Sequence, residues 1–147
     1  MSPVRLWYFS TRLYARGLEL PAKLVKLLIY LVYHAVLPYQ AQIERDVQLE
    51  HYGLGVVIHP NVTLGHGVRI YQHVTIAART WVGSPARIVV EDNVLIGAGA
   101  VIISRPDTDM VIGTGASIGA NAVVTKDVPA GTIMVGVAAT ARTIVSE

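Results

Sequence analysis

The sequence predicts a mainly β protein, a parallel β-helix of hexapeptide repeats behind a short N-terminal α-helical segment. Three observations predict it. Apolar residues recur every six positions through most of the chain. The fourth place after them is small or β-branched. Composition changes near residue 40, dividing the chain into a helical segment, 1–40, and a repeat domain, 41–147. With 147 residues, 52% hydrophobic and 15% charged, the chain suits one compact domain and not a disordered one. It has no cysteine, which excludes a disulfide scaffold, a cysteine-based zinc site and a thiol nucleophile. A net charge of +2 gives no argument for nucleic acid.

Residues 1–40 hold five of the basic groups (Arg5, Arg12, Arg16, Lys23 and Lys26) against Glu19 alone, and seven of the ten aromatics. Leu6, Phe9 and Leu13 fall on one side of a helix over 3–16, with the arginines on another. Gly17 is expected to stop it and Pro21 to start the next. In the second helix Leu24, Leu28, Leu31 and Ala35 form one face and Val25, Ile29 and Val32 another. A helix so apolar packs on the body, on another subunit or on lipid. Lys26 and Pro38 bound too short a stretch for a membrane span, which takes about 20 residues. No signal-peptide cleavage pattern follows it. The expectation is a cytoplasmic protein, with peripheral membrane contact through residues 1–37 left open.

In the body, Ile58, Leu64, Ile70, Ile76, Val82 and Ile88 are six apart. The frame resumes at Val90, Ile96 and Ile102, then at Ile112, Ile118 and Val124. Val62, Val68, Val74, Thr80, Ala86, Val94, Ala100, Ala116, Ala122 and Val128 stand at the fourth places. Each hexapeptide is a short strand and a corner; frame residues point inward and corners admit only small or β-branched side chains. One turn cannot bury its own face, so turns must stack. Three hexapeptides close a triangular turn, and residues 41–147 are expected to give about six turns, ~4.8 Å apart. The frame slips at LEHYGLGVVI (49–58), by three residues, and within 78–89 and 103–111. Loops thrown from solenoid corners are where function usually sits.

The array, with LEHYGLGVVIHPNVTLGHGVRIYQHVTIA (49–77), VLIGAGAVI (94–102), IGANAVVTKDVPAG (118–131) and VGVAATAR (135–142), resembles the hexapeptide-repeat acetyltransferases. It is most similar to the branch of serine acetyltransferases and polysaccharide O-acetyltransferases. The resemblance implies a left-handed parallel β-helix, a homotrimer, and acetyl-CoA bound in the groove between subunits. His51, His59, His66 and His73 run seven or eight apart, a spacing that does not stack ligands on an 18-residue turn, so no metal is expected. Leu49, Glu50 and His51 match the family's Leu-Asp-His, whose histidine is the catalytic base. The chemistry needs one: an imidazole with pKa about 6.5 can take a hydroxyl proton in the transition state, typically for ~10²–10⁴-fold. The oxygen then attacks the thioester directly, and without cysteine no acyl-thiol intermediate forms.

His59 and His73 are the alternative bases; His66 and Arg69 occupy regular corners. The family's orienting aspartate falls at Val36, so Glu50, Glu44 or a backbone carbonyl is expected to orient His51. A second family histidine, which helps hold serine, is absent from 79–89. Arg79 and Arg87 in that stretch would bind an anionic or sugar acceptor, or stand as solvated loop residues. Gly97, Ala98, Gly115 and Ala116 are small enough for a pantetheine arm to lie close. Lys126 matches a family lysine near CoA phosphate, and Arg142 serves only with a two-residue displacement. The expected activity is acetyl transfer from acetyl-CoA to a hydroxyl of a serine-like small molecule or saccharide. The rival reading is a non-catalytic scaffold that has lost the site.

Overall fold

The structure, a computed structural model, describes residues 2–136. Helix α1 (Pro3–Ala15) opens on a proline, whose missing N–H costs nothing in a first turn. It does not bury the face that periodicity suggested. Phe9 is half exposed, while Val4, Trp7 and Ser10 are buried. Trp7 decides the orientation: it is the larger side chain, and its Nε1–H has a partner inside, the Pro38 carbonyl at 2.8 Å. Gly17 follows the helix in a left-handed conformation, as expected. Helix α2 (Glu19–Tyr33) starts two residues before Pro21, which is accommodated in the first turn. It ends at His34, a left-handed cap whose N–H bonds the Tyr30 carbonyl. Ala22 and Ile29 face the core; Leu24, Leu28 and Leu31 do not.

Thirteen strands follow among the described residues: β1 (Gln42–Ile43), β2 (Gln48–Leu49), β3 (Val57–Ile58), β4 (Val62–Leu64), β5 (Arg69–Ile70), β6 (Thr75–Ala77), β7 (Ile88–Val90), β8 (Leu95–Ile96), β9 (Val101–Ile103), β10 (Met110–Ile112), β11 (Ser117–Ile118), β12 (Val123–Val124) and β13 (Ile133–Met134). They pair in parallel into three sheets, the faces of a triangular prism. Face I is β1-β4-β7-β10, face II is β2-β5-β8-β11-β13, and face III is β3-β6-β9-β12. Val36 extends face III by a bridge to Val57. This is a β-solenoid of about four turns, not six, because the irregular loops take up residues counted as coil. The helical pair packs against its first turn.

The frame residues Ile58, Leu64, Ile70, Ile76, Val90, Ile96, Ile102, Ile112, Ile118 and Val124 are all buried, as are Val62, Val68, Val74, Val94, Ala100, Ala116 and Ala122. Two frame assignments fail. Val82 is exposed, and Ile88 stands over Val62 while Val90 stands over Leu64. Residues 78–87 are therefore a loop, not a coil, and Thr80 and Ala86 hold no ladder place. The loop is held from inside by Asn61. This buried amide donates to the Trp81, Ser84 and Ala86 carbonyls and accepts the Gly83 N–H. Val128 takes a frame place over Ile112.

Register shows where the coil departs from 18 residues per turn. Leu64 lies over Ile43, 21 residues back; Val90 over Leu64, 26 back; Ile112 over Val90, 22 back; Val128 over Ile112, 16 back. The first change falls on the edge between faces II and III, after Leu49. The other three fall on the edge between faces III and I. Between faces I and II the step is six every time: Ile43 to Leu49, Leu64 to Ile70, Val90 to Ile96, Ile112 to Ile118, Val128 to Met134. All irregularity thus borders face III.

Candidate active site

The widened II/III edge is the turn Glu50–Gly53. His51 (φ 50, ψ 39) and Tyr52 (φ 58, ψ 19) both have left-handed backbones. Such a backbone is unfavourable for non-glycine residues by about 1–2 kcal/mol each and persists only where the surroundings impose it. Gly53 and Gly55 complete the turn, and a Cβ on Gly55 would run into the His73 ring. His51 is exposed, with its ring 6.2 Å from that of Tyr71 on the next coil. It lines a cavity of about 390 Å³ with Val32, Tyr33, His34, Tyr52 and Leu54. Tyr52 stacks on Tyr33. The cavity wall is mostly apolar and open on one side.

The expected orienting partners are engaged elsewhere. The Glu50 carboxylate lies 3.5 Å from Arg69 Nε. Glu44 and Asp46 both face His66, at 3.6 and 3.2 Å. Val36 lines a different cavity, with Leu27 and Tyr39. The residue that the preceding segment brings to the cavity of His51 is His34. Sequence reading passed over it as an interruption of an apolar helix; its signal was its place as the cap after Tyr33. His59 sits on the III/I edge, where its Nδ1 accepts the Asn61 N–H at 3.1 Å. Burial lowers its pKa, opposed by a hydrogen bond to the Thr80 backbone.

The remaining candidates divide among the three edges. Gly97 and Ala98 lie on the edge of His51, two coils on, stacked through backbone bonds from His73 to Leu54, Gly99 to Gln72 and Asn121 to Ala98. Gly97 is required by that stacking, since a Cβ would meet the backbone of Ala120 within 2.7 Å. Gln72 on this edge has a buried Oε1 with no hydrogen-bond partner among the described residues. Sequence reading did not single it out, because nothing in an isolated glutamine marks it as buried. Arg79, Arg87 and Lys126 lie on the III/I edge. Arg87 donates from Nε to Thr63 Oγ1 and from Nη2 to the Val62 carbonyl, both at 3.0 Å, so its guanidinium largely braces β4. Burial lowers its pKa. Arg79 and Lys126 are exposed, and Lys126 shares a cavity of about 220 Å³ with Arg105 and Asp109. Gly115 and Ala116 lie on the I/II edge, and Arg142 lies outside the described residues. One subunit does not gather these groups. Among the described residues no cluster of three His, Cys, Asp or Glu could hold a metal.

A hexapeptide solenoid with a histidine on a widened corner defines a class, the hexapeptide-repeat acyltransferases. No protein-family model matches the chain. Individual relatives do. It is 36% identical to the serine acetyltransferase of Mycobacterium tuberculosis over 132 residues, 90% of this chain and 52% of that one. It is 33% identical to a plasmid-borne serine acetyltransferase of Synechococcus elongatus, over 84% of this chain and 40% of that one. Among solved structures, the soybean serine acetyltransferase matches with a TM-score of 0.81 at 30% identity, over 91% of this chain and 53% of that one; it has also been solved with serine. The serine acetyltransferase of Neisseria gonorrhoeae matches with a TM-score of 0.82 at 27% identity, over 92% of this chain and 51% of that one. The chain belongs to this family, in its serine acetyltransferase-like branch. It spans about half the length of the curated relatives it matches.

Proposed function

We propose that the chain transfers acetyl from acetyl-CoA to a hydroxyl acceptor, a small serine-like molecule or a saccharide, with His51 as general base. The carrying observation is His51 itself, held by a strained backbone on the one widened turn of its edge and set in an apolar-walled cavity. His51 takes the acceptor hydroxyl's proton as its oxygen bonds to the acetyl carbonyl carbon. The tetrahedral oxyanion then collapses, the carbon–sulfur bond breaks, and the imidazolium returns the proton to the leaving CoA sulfur. A backbone N–H of the neighbouring coil would hold the oxyanion. His34 takes the positioning role that Glu50, bound to Arg69, leaves open.

The site is completed in a homotrimer with face III inward. Support comes from the outward side chains of that face. Val57, Thr75, Val101 and Val123 form one column, and Ala77 and Ile103 another. Face II instead presents a more polar column, Gln48, Arg69, Leu95, Ser117 and Ile133. Around a three-fold axis the II/III edge of one subunit meets the III/I edge of the next. That brings His51, Gln72, Gly97 and Ala98 opposite the neighbour's Arg79 and Lys126. Gln72 Oε1 then offers an acceptor to a pantetheine amide, and Lys126 offers charge to a CoA phosphate. Gly115 and Ala116 point away from this groove and have no part in it.

The test is thiol release from acetyl-CoA, read with a thiol-reactive dye, to which a chain without cysteine adds no background. Serine, amino sugars and nucleotide sugars serve as acceptors. Acceptor-dependent release is expected, and His51→Ala is expected to reduce kcat by about 10²–10⁴-fold. An unchanged rate in that variant removes His51 as base. No binding of acetyl-CoA and no release with any acceptor would make the chain a non-catalytic scaffold.

A further inference from the structure

Helix α2 turns its most apolar side to solvent. Leu20, Leu24, Leu27, Leu28, Leu31 and Val32 are between 47% and 69% exposed, opposite the buried Ala22 and Ile29. At about 100° per residue these six side chains cover roughly 140° of arc, wider than the narrow a/d seam of a helix pair. Lys23 flanks the arc, while Lys26 lies half-buried on the opposite side of the helix. The only acidic residue of the helical segment, Glu19, is neutralised by Lys23 at 2.9 Å. Arg5, Arg12 and Arg16 on α1 are exposed. No described helix is long and apolar enough to cross a membrane.

We propose that α2 docks flat on an anionic lipid bilayer, with its leucine arc in the acyl boundary and the basic groups at the headgroups. The physical chemistry fits an interfacial helix: a broad apolar arc, Lys23 at its flank, Lys26 on the polar side and an excess of positive charge in the segment. A second copy of the same segment fits less well. It would set a segment with five basic groups and one acidic group against its like, and nothing on the segment would neutralise the excess. The inference does not depend on acetyl transfer, and its test reads binding alone.

The experiment is co-sedimentation of the full chain with vesicles of phosphatidylglycerol and phosphatidylcholine, against phosphatidylcholine alone. The expected result is partition at least about tenfold stronger onto the anionic vesicles, weakened by raising salt. Leu24→Gln with Leu31→Gln is expected to lower it about tenfold or more, and so is Leu20→Gln with Leu27→Gln. Because these leucines are exposed, both variants should keep the circular dichroism of the parent. Failure of the parent to sediment with anionic vesicles overturns the proposal. So does a leucine variant that binds like the parent. If the leucine changes instead lower the mass measured by light scattering without lipid, the arc belongs to a second copy and the proposal falls.

Discussion

Asn61 holds the longest irregular loop of the molecule through one buried amide. Its four bonds to residues 81–86 have no substitute in a leucine of similar size, which would leave the Ser84 and Ala86 carbonyls and the Gly83 N–H without their partner. Asn61→Leu is expected to destabilise the fold by about 2–4 kcal/mol, read by urea denaturation, and to open the loop to proteolysis between Trp81 and Ala86. Its neighbour His59 supplies a pH dependence. Burial lowers the His59 pKa from the ordinary 6.5, so below that value the unfolded chain takes up a proton that the folded one resists. Its contribution to stability is therefore complete above about pH 6.5 and is lost as pH falls further. His59→Asn keeps an acceptor for the Asn61 N–H without titrating; its denaturation midpoint should depend less on pH between 7 and 5 than that of the parent. At this scale the sequence was partly legible. His51 stands out because three extra residues break a regular frame around it and because Leu49, Glu50 and His51 match the family's Leu-Asp-His. His34 does not, because its place beside the same cavity depends on a helix cap meeting a corner 17 positions later, a distance that no local pattern records.

At the scale of elements, the repeat was legible wherever it ran unbroken, since a six-residue frame has one way to bury its apolar residues. It misled where apolar residues kept the spacing by coincidence. Val82 lies six after Ile76 and six before Ile88, yet it is in the loop. Sequence spacing cannot distinguish a coil from a loop that happens to carry a valine; the polar anchor beneath it, Asn61, decides. The helices show a similar limit. Periodicity marked Leu6, Phe9 and Leu13, but a single indole with an internal carbonyl partner turned α1 otherwise. Trp7→Ala is accordingly expected to cost about 3–5 kcal/mol. Phe9→Ala, at a half-exposed site, should cost well under half of that. Denaturant titration of the two variants separates the orientations, and equal losses would favour the periodic face.

For the whole molecule, the groups proposed for acetyl transfer lie on two edges of the chain, with face III between them. The proposed trimer makes them neighbours across subunits. Two inactive variants should then restore one another: His51→Ala lacks the base on one edge, and Lys126→Glu lacks the cation on another. Mixed and reassembled, trimers containing both are expected to recover a measurable part of the parental turnover, up to about a quarter. Recovery absent from well-mixed trimers would place both residues in the site of a single subunit.

The edge between faces I and II has kept its six-residue step through every turn, and Thr114 and Gly115 are exposed there. An edge free of inserted loops and turned away from the proposed groove is a natural attachment site. A fluorophore, an affinity peptide or a surface tether fixed at Ala130, exposed on the same edge, would leave the other two edges free, so the molecule could be immobilised in one orientation with its working side outward.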